Sequence, residues 1–153
     1  MPHIHEKIDF TAEVFIVYNN KVLLRKHDKY GIWLGVGGHV ELDEDPNQAA
    51  IREVKEEVGL DVVLANDLLP HSTQTGDYLE LIPPKYLNRH RINSTHEHIG
   101  MTFFARAATD KFSNQEGEES PDMGWFNVQE LDTLELSDYV RRCAKQALKE
   151  LHT

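Results

Sequence analysis

Three glutamates, Glu53, Glu56 and Glu57, stand three and four positions apart inside the stretch Pro46–Val58. On a helix, neighbours at that spacing bring their Cβ atoms to roughly 5–6 Å of one another, so like charges crowd one strip of surface. The ordinary reading of such a cluster is a solvated acidic face, with Arg52 and Lys55 as partial compensation. Two features set this one apart. At about 100° per residue, with Ala50 at the origin, Val54, Val58 and Ile51 fall within about 0–100° and the glutamates within about 240–340°. The carboxylates therefore sit beside the apolar stripe and not opposite it. The helix also follows the glycine-rich run Tyr30–Val40 (YGIWLGVGGHV), which brings backbone carbonyls near its N-terminal half. Clustered carboxylate and carbonyl oxygens suit a hard cation such as Mg²⁺ or Mn²⁺, whose shell is commonly completed by substrate phosphate oxygens. Such an ion polarises phosphorus and lowers the pKa of a bound water, so the chemistry implied is metal-assisted hydrolysis of a phosphate anhydride or ester.

The rest of the chain must position that strip. Its 153 residues fit one domain spanning 1–153, and 40% hydrophobic with 27% charged residues describe a soluble globule. The net charge of −10 is concentrated: residues 41–61 carry eight acids and two bases, residues 112–122 carry four acids and no base, and the remainder balances. An acidic chain without a broad basic face is a poor partner for nucleic-acid polymers or anionic membranes. The single Cys143 excludes an internal disulfide and a thiolate zinc cluster. No apolar run approaches the roughly 20 residues of a membrane span, and Met1–Phe10 lacks the apolar stretch of a signal peptide. A cytoplasmic location is the expectation.

Ala12–Tyr18 and Lys21–Arg25 predict a hairpin turned at Asn19-Asn20. Tyr30–Val40 predicts short extended pieces whose glycines allow unusual dihedrals or close approach. Asp45 as cap, Pro46 in the first turn and Gly59 as stop predict a helix over Pro46–Val58. Strands are expected at Leu60–Ala65, Tyr78–Ile82, His98–Ala108 and Trp125–Val128, and a C-terminal helix over Ser137–Leu151. Pro83–Glu97 reads as a long connection carrying the densest basic cluster, Lys85, Arg89 and Arg91.

From Gly38 to Leu60 the sequence GHVELDEDPNQAAIREVKEEVGL resembles the Nudix box. Gly38, Glu44, Arg52, Glu53, Val54, Glu56, Glu57, Gly59 and Leu60 occupy every specified position. Seven fixed identities at about 7% usage each would coincide by accident with odds on the order of 10⁻⁸ per starting point. Looser similarity runs from the first hairpin to the C-terminal helix. One departure is Val36, where many members have proline in the approach to the box.

The resemblance implies an α+β or α/β fold, an α-β-α sandwich with a mixed β-sheet between helices. It also implies hydrolysis of a nucleoside diphosphate linked to another group X. Glu53 and Glu57 would ligate metal together with the Gly37 carbonyl, and Glu56 would bind it through water or ligate a second ion. Arg52 would orient the glutamates, and Glu44 would support them from the loop. The cofactor would be Mg²⁺, with Mn²⁺ as substitute. The general base would be a box glutamate or a distant acid, of which Glu97 is the first and Glu116, Glu118 and Glu119 the others. Rival activities are an oxidised-purine triphosphate pyrophosphohydrolase of the nucleotide-pool-cleaning type and a catalytically silent nucleotide sensor. Family dimers use varied surfaces, so a homodimer is compatible with the sequence.

Outside the box, Arg25, Lys85, Arg89 and Arg91 are candidates for holding phosphates. Trp33, Trp125, Phe104 and Tyr86 are candidates for stacking a base, although aromatics near strands commonly belong to the core. His90, His96 and His98 invite a zinc reading. The lack of thiolates and the oxygen-rich box weigh against it.

Overall fold

The computed structural model describes residues 7–27, 31–66, 74–113 and 122–153. In chain order the strands are β1 (Ile8–Tyr18), β2 (Lys21–Lys26), β3 (Trp33–Leu34), β4 (Val36–His39), β5 (Val62–Leu64), β6 (Gln74–Thr75), β7 (Tyr78–Leu79), β8 (Tyr86–Arg91), β9 (Glu97–Ala107) and β10 (Met123–Phe126). The helices are α1 (Pro46–Val58), α2 (Val128–Leu131) and α3 (Asp138–Glu150).

The hairpin forms as its sequence predicts. Asn19 and Asn20 take φ of 48° and 60°, the left-handed pair that matches the twist of the flanking strands. Strand β1 is the hub. It lies parallel to β9 from Ile8↔Glu97 to Val17↔Arg106, and it divides its other edge between β4 and β2. The resulting sheet runs β10-β2-β1-β9-β5, with β3 on β2, β4 on β1 and β8 on β9. A parallel β1–β9 pair among antiparallel neighbours makes this the mixed sheet expected.

Alternation along β1 sends Ala12, Val14 and Ile16 into a core with Ala50, Val54 and Val58 of α1. It sends Phe15 and Val17 into a second core with Val140, Ala144 and Ala147 of α3. The sheet is thus held between α1 and α3. Phe15, Phe103 and Phe104 are wholly enclosed, each stabilising by about 2–3 kcal/mol through area removed from water. Cys143 is buried in α3, and burial pushes its thiol up to about 11, so it packs as a small apolar group. Among the described residues, no helix is long and apolar enough to cross a membrane.

Three expectations need correction. Pro83–Glu97 is not an unstructured connection, because β8 occupies Tyr86–Arg91 and pairs along β9. Its polar sequence hides it, as charged side chains are common on an edge strand. The expected strand at Tyr78–Ile82 shrinks to Tyr78–Leu79, paired among the described residues with Gln74–Thr75. Ile51, assigned to the apolar stripe, is 44% exposed. Residues 114–121, with Glu116, Glu118 and Glu119, lie outside the described residues.

Candidate active site

Helix α1 starts on a reciprocal cap. Asp45 Oδ1 accepts from Gln48 N–H at 2.8 Å and Gln48 Oε1 accepts from Asp45 N–H at 2.9 Å. It stops at Gly59, whose φ of 71° suits glycine and whose N–H donates to the Lys55 carbonyl. The helix buries Ala49, Ala50, Glu53, Val54 and Val58. On the wheel that arc runs from about 260° at Ala49 through zero to about 80° at Val58, with Glu53 at about 300° and Glu57 at about 340°. Two carboxylates therefore stand inside the inward-facing arc. Glu53 is 6% exposed, the Glu57 side chain 12% and the Glu56 side chain 50%. The geometry divides the three glutamates into two that point inward and one that lies at the rim.

Arg52 ties these acids together. Its Nε donates to Glu44 Oε2 at 2.9 Å and its Nη2 to Glu44 Oε1 at 2.6 Å and to the His39 carbonyl at 3.0 Å. Its Nη1 donates to Glu53 Oε1 at 3.1 Å and Glu56 Oε2 at 3.0 Å. The Arg52 hydrogen bonds hold the Glu44 carboxyl below the usual carboxylate range, and Glu44 Oε1 also accepts from Glu41 N–H at 2.9 Å. A planar fork that satisfies a loop acid, a strand carbonyl and two helix acids fixes the loop relative to the helix.

Strand β4 closes the site against α1. A Cβ built on Gly38 would lie 2.4 Å from Glu53 Oε1, and one on Gly37 would lie 1.9 Å from the Ala12 carbonyl oxygen. The close approach expected of these glycines is real. One meets a carboxylate and the other meets β1. Inward-facing carboxylates beside the Gly37-Gly38 pair, where no side chain intervenes, form a cradle of hard oxygen donors, which fits a Mg²⁺-type ion.

Of the residues outside the box, Arg25 reaches the site, with Nη1 3.6 Å from Glu57 Oε2. Lys85 instead approaches Glu150 Oε2 at 3.6 Å, and Arg89 hydrogen-bonds Glu97. Arg91 opposes Glu97 on β8 and is exposed. Glu97 is held below the usual carboxylate range by Arg89, with Arg91 and Lys7 adding to the effect. Trp33 packs edge-on against Phe126 at 5.4 Å, Tyr86 against Phe104 at 6.1 Å and Trp125 against Tyr18 at 6.1 Å.

A cavity of about 490 Å³ opens on the α3 side of β4, lined by Thr11, Glu13, Gly37, Asn88, Thr102 and Tyr139 among others. Its volume lies in the range of small-molecule sites. The Thr102 and Tyr139 hydroxyls hydrogen-bond one another at its wall. Glu13 escaped the sequence reading. The signal available was a lone acid within the apolar run AEVFIVY, at a position that faces the cavity by alternation.

Burial pushes the Glu13 carboxyl up to about 7, although Gly35 N–H donates to its Oε2 at 3.1 Å. A pKa raised on folding contributes stability that is fully present below the unfolded value of 4.5 and lost as pH rises through about 7. In metal-free protein, wild type should therefore lose about 2 kcal/mol relative to Glu13→Gln between about pH 5 and pH 8. Urea midpoints at the two pH values measure this, and parallel curves for the two proteins would refute it.

Comparison with known proteins places this geometry. The NUDIX domain family model matches residues 9–148, from the first strand into the last helix. The chain belongs to the Nudix hydrolase family. A Nudix-family hydrolase from Clostridium perfringens superposes with a TM-score of 0.81 at 31% identity, covering 94% of this chain and 98% of that one. The MutT Nudix hydrolase of Burkholderia pseudomallei, at 21% identity, shares the fold with a TM-score of 0.65 over 92% of this chain and 98% of that one. The CTP pyrophosphohydrolase of Escherichia coli strain K12 is 31% identical over 90 residues, which are 56% of this chain and 67% of that protein. As a Nudix hydrolase, the protein belongs to enzymes that act on small nucleoside diphosphate derivatives and generally use divalent metals.

Proposed function

We propose that this Nudix hydrolase cleaves a phosphoanhydride bond in a nucleoside diphosphate linked to another moiety, with Mg²⁺ as cofactor. The observation that carries the reading is the placement of Glu53 and Glu57 inside the inward arc of α1, Glu53 against Gly38 and under the Arg52 fork, Glu57 beside Arg25. Glu53, Glu57 and the Gly37 carbonyl would hold the ion, with Glu56 at the rim acting through water or on a second ion. When bound, Mg²⁺ supplies charge neutralisation at the phosphates and acidifies a water. Arg52 fixes the carboxylates, and Glu44 fixes Arg52. Arg25, beside Glu57, stands where it can meet a phosphate oxygen once the ion has taken up the glutamate charge. The cavity that shares Gly38 with the box and reaches Gly37 just before it is assigned to the nucleoside. A box glutamate beside the ion is assigned as the proton acceptor in place of Glu97, which Arg89 engages.

A second reading, hydrolysis of a nucleoside triphosphate to monophosphate and pyrophosphate, is favoured by the resemblance to the E. coli CTP pyrophosphohydrolase. A panel of nucleotide sugars, ADP-ribose, dinucleoside polyphosphates and canonical and oxidised triphosphates, assayed with Mg²⁺ and Mn²⁺, separates the two. Two phosphorylated products from a diphosphate diester support the first reading. Pyrophosphate release from triphosphates alone supports the second, and binding without turnover across the panel overturns both.

A further inference from the structure

On the sheet face opposite α1, three strands bring imidazole and carboxylate groups to one point. Alternation places Asp9 and Thr11 on the same face of β1 as the α3-packed Phe15. The β1–β9 register sets Asp9 against His98, and the β1–β4 register sets Thr11 against His39. One ligand atom each from Asp9, His39 and His98 lies within 4.8 Å of the others. His39 Nε2 is 3.7 Å from Asp9 Oδ2, and His96 Nε2 reaches the same oxygen at 3.2 Å. The His39 and His98 rings cross at 86° with centroids 4.9 Å apart. Asp9 is 1% exposed and His96 4%. Backbone pairing, not loop geometry, fixes the placement of Asp9, His39 and His98.

We infer that Asp9, His39 and His98 form a second metal site, selective for a Zn²⁺-type ion and distinct from the glutamate cluster. A tetrahedral zinc centre with ligand distances of about 2.0–2.1 Å has edges of roughly 3.3–3.4 Å. The Asp9–His39 separation of 3.7 Å closes to that edge with a small rotamer adjustment. A carboxylate this deeply buried is held by paired groups or by a metal, and the imidazoles gathered round Asp9 are groups that can ligate one. Imidazole ligands select zinc and its neighbours over Mg²⁺, whereas the all-oxygen cluster on α1 suits the harder ion. His96 then acts on the metal through Asp9, holding the carboxylate in orientation. Because His39 also gives its carbonyl to Arg52, an ion there would clamp β4 to β1 and β9 at the segment that carries Gly37 and Gly38. The rival is a proton in place of the metal, with imidazolium paired to Asp9.

The test is independent of the hydrolase reading when run in the full-length Glu53→Gln/Glu57→Gln variant, which lacks the inward box carboxylates. After chelator stripping, loading with Zn²⁺ and dialysis, this protein should retain about one equivalent of zinc and melt at a higher temperature than its stripped form. Adding His98→Ala should abolish both effects. Co²⁺ in place of zinc should give the intense visible bands of a tetrahedral site with nitrogen ligands, a readout that needs no substitution in the cluster should His98→Ala fail to fold. Zinc retention unchanged by His98→Ala in folded protein, no retained zinc, or only weak octahedral Co²⁺ bands would each overturn the proposal.

Discussion

Replacing Glu57 with glutamine is expected to leave the fold in place and lower turnover with saturating Mg²⁺ by about 10²–10³-fold. Glu57 lies on the inward arc of α1 and its side chain is 12% exposed, so the change removes a charge from the interior of the site without altering shape. Metal-free stability should move by no more than about 1 kcal/mol. The lost attraction to Arg25, 3.6 Å away, is set against relief of repulsion from Glu53, four positions earlier on the same strip. Circular dichroism and urea unfolding test the first half of the prediction, and steady-state kinetics with direct Mn²⁺ titration test the second. Wild-type turnover in Mg²⁺ would remove Glu57 from the metal assignment. A collapse of stability would mean that its charge serves the fold.

The same glutamates show how far the sequence could be read. Helix α1 begins and ends where Asp45, Pro46 and Gly59 predict, because capping is local chemistry. The rotation of the helix was not legible. Ile51 marks an apolar edge in sequence, yet it is 44% exposed, while Ala49 is fully buried. The cause is tertiary: β4 offers Gly38, so the Glu53 carboxylate can come close where a side chain on the strand would stand. Strand β8 was hidden for a related reason. Its Asn88, Arg89, His90 and Arg91 are held as a strand by the ladder to β9 and not by any apolar pattern of their own. The basic cluster seen there is divided by the fold, Lys85 going to Glu150 and Arg89 to Glu97. Asp9, His39 and His98 are far apart in the chain, and only the β1–β4 and β1–β9 registers bring them together. The histidines set aside for want of thiolates acquire a carboxylate and a further imidazole in that way. The acidity is likewise sharpened, since within the 41–61 stretch Glu44, Glu53 and Glu56 all converge on one guanidinium.

Adjacent glycines in β4 should respond to alanine in opposite ways. At Gly37 the new Cβ would fall 1.9 Å from the Ala12 carbonyl oxygen and 2.8 Å from the Glu13 Cα. Both are backbone atoms of the central strand, which cannot yield without breaking the β1–β4 register from Thr11↔His39 to Val14↔Val36. Gly37→Ala should therefore cost about 3 kcal/mol or more and yield little folded protein. At Gly38 the Cβ would meet Glu53 Oε1 at 2.4 Å and its Cδ at 2.5 Å, the far end of a side chain that can turn aside. Gly38→Ala should stay folded within about 1–2 kcal/mol of wild type, but the Glu53 carboxylate must retreat by about 1 Å to reach ordinary contact distance. A displacement of that size at reacting groups costs about 10²-fold in rate, and Mn²⁺ affinity should fall with it. Urea unfolding separates the two variants on stability, and kinetics with Mn²⁺ titration on the folded one isolates the carboxylate. Wild-type turnover and metal affinity in Gly38→Ala would show that Glu53 acts from some other position than the cradle against β4.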